Sequence, residues 1–119
     1  MGMNKLLPAM GVALCLAALA GCDTLTGGAL VRPGEPTGTL IVYNNTYGDL
    51  DAVVISDCDA MSYGFNRLAD GAYIAPGEEA SFTLSAGCWD VGGGELGGGE
   101  AYQRLTISPG GVVRLSIDE

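Results

Sequence analysis

Short stretches in which hydrophobic and polar side chains alternate make up most of the chain from residue 39 onward. Between residues 80 and 85, for example, Ala80, Phe82 and Leu84 alternate with serine and threonine. A period of two indicates a β-strand with one buried and one solvated face. Further short stretches rich in β-branched, aromatic or alternating residues occur at residues 40–43, 50–56, 89–91, 105–107 and 112–117. Turn residues separate them and no amphipathic helix is evident, so the pattern predicts an all-β domain: a small sandwich or barrel-like fold of about seven short, mostly antiparallel strands.

Four segments give more specific predictions about how the strands are connected. Residues 52–55 are apolar on both faces, which is typical of a central strand. The turn Pro109-Gly110-Gly111 between two alternating stretches predicts a C-terminal hairpin. Residues 61–68 mix aromatic and polar residues and are expected to form a loop that crosses between sheets. Glycine has no side chain to pack and loses much backbone entropy on folding, so residues 92–99 are predicted to form a mobile hairpin loop.

The start of the chain has the pattern of an export signal. Lys5 lies in a short positive start, residues 6–20 are apolar, and Leu19-Ala20-Gly21-Cys22 ends the run. The tetrapeptide resembles a bacterial lipobox, which implies that residues 1–21 are removed and that Cys22 carries lipid. Several acyl chains on one residue hold a protein at a membrane almost permanently, whereas one chain binds only marginally. The alternative is an ordinary cleaved signal peptide that leaves Cys22 as an incidental thiol.

The remaining chain divides into two parts. Residues 22–38, with several glycines and prolines, are predicted to be a lipidated N-terminus and flexible tether, and residues 39–119 a single small domain. Lipid attachment would place this domain in the bacterial cell envelope. Asp23 resembles the signal that keeps enterobacterial lipoproteins in the inner membrane, but that rule varies between bacterial groups. Both the inner and the outer membrane therefore stay open.

Acidic residues dominate the charge of the chain. It has 14 Asp and Glu against 5 Lys and Arg, a formal net charge of −9. Lys5 is the only charged residue of the leader, so its removal would leave −10 and no lysine. Such a surface repels phosphate backbones and attracts cations, which excludes nucleic acid and favours a cationic protein partner. Nucleotide binding is not expected either, because residues 92–97 match a dinucleotide fingerprint without its strand-turn-helix context.

The cysteines predict one disulfide. Removal of the leader takes away Cys15 and lipid would occupy Cys22, so Cys58 and Cys88 remain as a possible pair. An oxidising periplasm favours this bond. In the chain-entropy model its loop of about 31 residues would restrict the unfolded state by roughly 3–4 kcal/mol. Two separate buried thiols are the alternative, because spacing along the sequence does not establish the Cα separation.

No arrangement of catalytic or metal-binding residues stands out. The chain has no histidine, so it can form neither a Ser-His-Asp triad nor a typical zinc site. Asp49/Asp51 and Asp57/Asp59 have the spacing of calcium ligands, but the following residues do not complete a calcium loop. Paired carboxylates could hydrolyse a glycosidic bond, and the chain offers several acidic candidates: Glu78, Glu79, Asp90, Glu95 and Glu100. We expect no catalytic residues, no cofactor and no metal.

Aromatic residues supply the remaining candidates. Tyr63, Phe65 and Arg67 have the residue types of a protein-binding hot spot, although packing within the domain is the favoured explanation. Trp89, the single tryptophan, is expected in the core. Strand alternation would then turn Cys88 to the opposite face, so that a bond to Cys58 would clamp an edge or a loop.

Several short motifs together resemble a group of small exported bacterial β-domains. They cover residues 40–107 and are Asn44-Asn45-Thr46, Ile55-Ser56, Asn66-Arg67-Leu68, Ile74-Ala75-Pro76-Gly77 and Gly87-Cys88-Trp89-Asp90-Val91. The resemblance implies a compact sandwich and no particular biochemical activity. The glycine-rich stretch departs from the group, whose members more often have a charged turn there.

These observations predict a lipid-anchored envelope protein that acts as a non-enzymatic interaction or structural module. An inhibitor or sequestering protein for a cationic target such as lysozyme is one alternative, favoured by the acidic surface. A carboxylate-dependent cell-wall hydrolase is the other.

Overall fold

Six β-strands and no helix form the part of the protein described by the structure, a computed structural model covering residues 28–95 and 100–118. The strands are β1 (Thr37–Asn45), β2 (Ala52–Asp57), β3 (Glu79–Ser85), β4 (Gly87–Gly94), β5 (Glu100–Ile107) and β6 (Val112–Asp118). They form two three-stranded sheets, in the orders β3-β1-β6 and β2-β4-β5. This confirms the all-β sandwich, with six strands rather than about seven. The described residues include no helix long and apolar enough to span a membrane.

The two sheets differ in how their strands pair. In the first sheet, β1 is central, antiparallel to β3 and parallel to β6. In the second, β4 is central and antiparallel to both neighbours. The chain crosses from the second sheet to the first between β2 and β3, so the predicted loop at residues 61–68 does connect the sheets.

The predicted C-terminal hairpin is wrong. β5 pairs with β4 and β6 pairs with β1, so the Pro109-Gly110-Gly111 turn connects two sheets. Hydrogen bonds hold the turn against β1, from the Gly110 amide to the Thr37 carbonyl and from the Thr39 amide to the Gly111 carbonyl. Alternation identifies the buried face of each strand, but it does not identify the neighbouring strand.

The prediction of a central position for residues 52–55 is also wrong, because β2 lies at an edge of the second sheet. Its outer edge is covered instead by the chain segment at Asn66 and Arg67. The Asn66 side chain accepts a hydrogen bond from the Val53 amide and donates one to the Asp51 carbonyl, while the Arg67 amide donates to the Val53 carbonyl at 2.6 Å. These contacts satisfy backbone groups that an edge strand would otherwise leave unpaired.

Inward-facing side chains from both sheets form one core. Trp89 is fully buried at its centre, and its indole N–H donates to the Ser85 carbonyl at 2.8 Å. Cys88 is exposed, as the alternation predicted. The other buried hydrophobic residues are Leu40, Val42, Leu50, Val53, Ile55, Ile74, Leu84, Val91, Leu105, Ile107, Leu115 and Ile117.

The predicted boundary between tether and domain requires correction. β1 already begins at Thr37, and the chain before it is fastened to the sandwich by hydrogen bonds from the Ser85 amide to the Leu30 carbonyl and from the Arg32 amide to the Ser85 hydroxyl. Leu30 also packs against the core. Glycine and proline made this segment look flexible, but long-range contacts fix it. Residues 22–27 of the predicted tether, and the leader with Cys22, lie outside the described residues.

Asn44, at the end of β1, connects three parts of the chain. It is fully buried, and its amide nitrogen donates to the carbonyls of Gly48 and Ile74, each at 2.7 Å. Its side-chain oxygen accepts from both the amide and the hydroxyl of Thr46. A buried polar side chain is stabilising only when its hydrogen bonds are made, and Asn44 makes all of them.

We predict that Asn44→Ala destabilises the domain by about 2–4 kcal/mol, because it removes all four hydrogen bonds of a fully buried side chain and leaves a cavity there. Urea unfolding, followed by the fluorescence of Trp89, measures this loss. Asn45→Ala is the matched control, because the Asn45 side chain bonds Asp118 on the exposed surface. Equal stability of the two variants would contradict the role given to Asn44.

Candidate interaction surface

Four large exposed side chains lie on residues 58–67, the first part of the connection between β2 and β3, and on the outer face of β5. They are Met61, Tyr63, Phe65 and Tyr102, with exposed fractions of 88, 43, 65 and 44 %. We call them the aromatic patch. Exposed apolar groups that are held in fixed positions commonly mark interaction sites. The start, middle and end of residues 58–67 are each fixed in a different way.

A disulfide fixes the start of the connection. Cys58 directly follows β2 and is bonded to Cys88 of the neighbouring strand β4, with Cα atoms 5.6 Å apart. This separation is typical of disulfides, and the predicted pairing is confirmed. The bond holds the beginning of the connection against the outer face of the second sheet, and residues 61–65 follow immediately.

Arg67 fixes the end of the segment formed by residues 58–67. Its guanidinium group donates to the Ile55 carbonyl and to the Gly28 carbonyl, each at 2.7 Å. Burial lowers the pKa of Arg67. Of the three residues that the sequence offered for partner binding, Arg67 therefore packs within the domain, whereas Tyr63 and Phe65 are exposed.

A pair of tyrosines fixes the middle. The rings of Tyr63 and Tyr102 lie with their centroids 4.3 Å apart at an interplanar angle of 39°. Tyr102 is directly opposite Gly92 in the pairing of β4 with β5. A Cβ atom on Gly92 would lie only 2.4 Å from the Tyr102 ring. The absence of a side chain at residue 92 thus provides the space in which Tyr102 rests on the sheet.

This arrangement corrects the prediction for the glycine-rich stretch. Gly92, Gly93 and Gly94 belong to β4, while residues 96–99 lie outside the described residues. Side chains from other strands occupy the space beside the first two glycines: Tyr102 lies over Gly92, and Ile117 would be 3.1 Å from a Cβ atom on Gly93. Glycine has no side chain of its own to pack, but side chains of neighbouring strands can fill the space beside it.

A small cavity of about 220 Å³ lies beside the patch, lined by Ser56, Ala60, Met61, Ser62, Tyr63 and Asp90. Arg104, opposite Asp90 in the strand pairing, binds both carboxylate oxygens of Asp90 at 2.9 and 3.0 Å. These hydrogen bonds lower the pKa of Asp90. A glycosidase acid needs a raised pKa instead, so Asp90 is unsuited to that role among the predicted hydrolase candidates.

Of the other candidate carboxylates, two lie apart at the surface and two share a cavity. Glu79 forms an ion pair with Arg114 at 2.7 Å, and Glu78 is exposed in the preceding turn. Glu95 and Glu100 line a cavity of about 240 Å³ at the end of the sandwich. For the calcium candidates, no group of three or more acidic, cysteine or histidine residues in the described ranges could hold a metal ion.

All four arginines of the described chain contact other groups of the same protein. Arg32 pairs with Glu35 and Asp57, Arg104 with Asp90, and Arg114 with Glu79. Arg67 binds backbone carbonyls, as described above. Each arginine of the described residues is therefore already engaged within the protein, and the remaining acidic residues have no arginine left to neutralise them.

Tyr102 is the member of the patch that the sequence analysis missed. Its hydroxyl donates to the Glu100 carboxylate at 2.7 Å, and this hydrogen bond raises the pKa of Tyr102. Strand alternation could have placed Tyr102 on the outer face, because Leu105 and Ile107 point inward. Its contact with Tyr63, 39 residues earlier, has no local signal in the sequence.

No family model matches this chain, and a search of curated proteins returns no relative.

We predict that Gly92→Ala displaces Tyr102 from the sheet, because the added methyl group would overlap its ring. We expect a loss of about 1–3 kcal/mol in stability and loss of the Tyr63–Tyr102 contact. Nuclear Overhauser contacts between the two rings and urea unfolding measure both effects. Thr106→Ala, on the exposed side of β5, is the control. Unchanged ring contacts in Gly92→Ala would show that Tyr102 does not depend on this glycine.

Proposed function

We propose that this protein is a lipoprotein of the bacterial cell envelope whose β-sandwich is a non-enzymatic protein-interaction module. The lipobox-like sequence ending at Cys22 supports the anchor. The aromatic patch carries the proposal of an interaction module. Met61, Tyr63 and Phe65 are exposed on a segment that the domain fastens at three points, and Tyr102 of β5 contacts Tyr63.

Fixed exposed side chains favour binding for an energetic reason. A flexible loop loses conformational entropy when a partner orders it, and this loss reduces affinity. The disulfide, the tyrosine pair and the Arg67 contacts have already restricted residues 58–67 in the free protein. Aromatic side chains also bury much apolar area while losing few rotatable bonds, which is why they are frequent at the centres of interfaces.

The attachment of residues 28–36 to the sandwich limits how far the domain can lie from its anchor. Gly28 already contacts Arg67, so only the residues between Cys22 and Gly28 are available as a spacer. Fully extended, they span at most about 20 Å. We propose that the lipid holds the domain close to the membrane surface, and that the partner is another envelope protein within this short range.

The proposal predicts a site-specific contact in the native host. When the photo-cross-linking residue p-benzoylphenylalanine replaces Phe65, we expect covalent capture of one partner protein from the envelope. Val112 is the matched control, because its side chain is also 65 % exposed and lies on the other sheet. Equal capture from both positions, or none from residue 65, would contradict the proposed contact surface.

The same cells test the anchor. Metabolic labelling with an alkyne analogue of palmitate should label the protein, and Cys22→Ala should abolish both the label and the membrane fractionation. The residue-65 cross-link should decrease in Cys22→Ala, because the domain is then no longer held near its partner. Labelling that persists in Cys22→Ala would overturn the lipid attachment at this residue.

A further inference from the structure

We propose that the aromatic patch binds a basic protein segment, with an arginine or lysine side chain of that segment lying against the Tyr63–Tyr102 pair. This inference rests on the proposed function, because it assigns the chemistry of the partner that the same surface would contact. Three observations carry it: the exposed rings, the charges around them, and the way in which the chain uses its own arginines.

The rings provide faces for a cation. Tyr63 and Tyr102 are each more than two-fifths exposed, and Phe65 is exposed by 65 %. The face of an aromatic ring attracts a cation, and a guanidinium group is a favourable ligand because it can stack on the ring. Met61 beside them adds apolar surface for the aliphatic part of such a side chain.

The charges around the patch are mainly negative. Glu100 accepts the hydrogen bond of Tyr102, Asp90 lines the adjacent cavity, and Asp59 follows Cys58. Arg104 is the basic residue near this surface, and its pKa is raised, chiefly by its hydrogen bonds to Asp90 and further by the nearby Tyr63 and Asp59. The Arg104 guanidinium group donates hydrogen bonds to both carboxylate oxygens of Asp90. A cationic segment would therefore meet a surface of complementary charge.

The chain places its own arginines on other rings. Arg114 lies over Tyr43 at 4.5 Å, and Arg32 lies over Trp89 at 4.9 Å. Tyr63 and Tyr102 have no such contact with an arginine of the described residues. Arg67, the closest arginine in sequence to Tyr63, points to the carbonyls of Ile55 and Gly28. The two rings of the patch thus remain accessible to a cation from another protein.

Binding of a matched pair of peptides tests the inference. The full chain in nonionic detergent micelles is titrated into a fluorescein-labelled peptide in which arginine alternates with glycine. The second peptide contains citrulline, an uncharged analogue of arginine, at the same positions. Fluorescence anisotropy gives the dissociation constants, and micelles without protein provide the blank.

We expect the arginine peptide to bind at least about tenfold more tightly than the citrulline peptide, and the double variant Tyr63→Ala/Phe65→Ala to lose at least about tenfold in affinity. Binding should weaken as salt rises from about 50 to about 300 mM, because the charges are exposed. Asp59→Asn/Glu100→Gln retains the shapes of the side chains and should weaken binding by about threefold or more at low salt. Val112→Ala is the control and should bind as the original chain does.

Equal binding of both peptides, or retention of affinity in both double variants, would overturn the inference. If Tyr63→Ala/Phe65→Ala fails to fold, as judged by Trp89 fluorescence, the charge variant decides the outcome. Patch-dependent self-association of the chain without peptide would instead identify a second copy as the occupant. If the peptides do not bind but residue 65 still cross-links one envelope protein, the interaction module stands and its basic ligand is wrong. If both experiments fail, the proposed function fails as well.

Discussion

The backbone groups on the outer edge of β2 need hydrogen-bond partners. The segment that supplies these partners also determines where the exposed residues 61–65 lie. Asn66 and Arg67 return to this edge and bind the backbone groups of Asp51, Val53 and Ile55. An edge strand without such cover would expose a row of unpaired groups. Arg67 is fixed at β2 and Cys58 is fixed by the disulfide. The residues between them therefore lie on the outside of the sheet.

Glycine plays a constructive part in this arrangement. β4 contributes no side chain at residues 92 and 93, and its neighbours fill the space, with Tyr102 on the outer face and Ile117 on the inner face. Ile117 of the other sheet therefore packs against Gly93, while Tyr102 occupies the space beside Gly92 and contacts Tyr63. Packing of the core and presentation of the aromatic patch thus depend on adjacent residues of one strand.

The sequence allowed correct prediction of features that depend on local patterns. Alternation identified the strands and their buried faces, turned Trp89 inward and Cys88 outward, and cysteine counting identified the disulfide. Features that depend on distant residues were not predictable in this way. The partner of β6, the edge position of β2 and the attachment of Leu30 at Ser85 all result from contacts between segments far apart in the chain. For the patch, residue type indicated Tyr63 and Phe65, but only the fold brings Tyr102 to Tyr63 and turns Arg67 away.

The proposed binding role depends on a restrained connection, because the cost of ordering it is then met during folding. The most direct test of this account is amide hydrogen exchange resolved by residue in the folded full chain. The account predicts that the amides of Val53 and Arg67, which bond to Asn66 and Val53, are protected as strongly as those of β4. Exchange of Arg67 at the rate of an unstructured chain, while β4 stays protected, would contradict it.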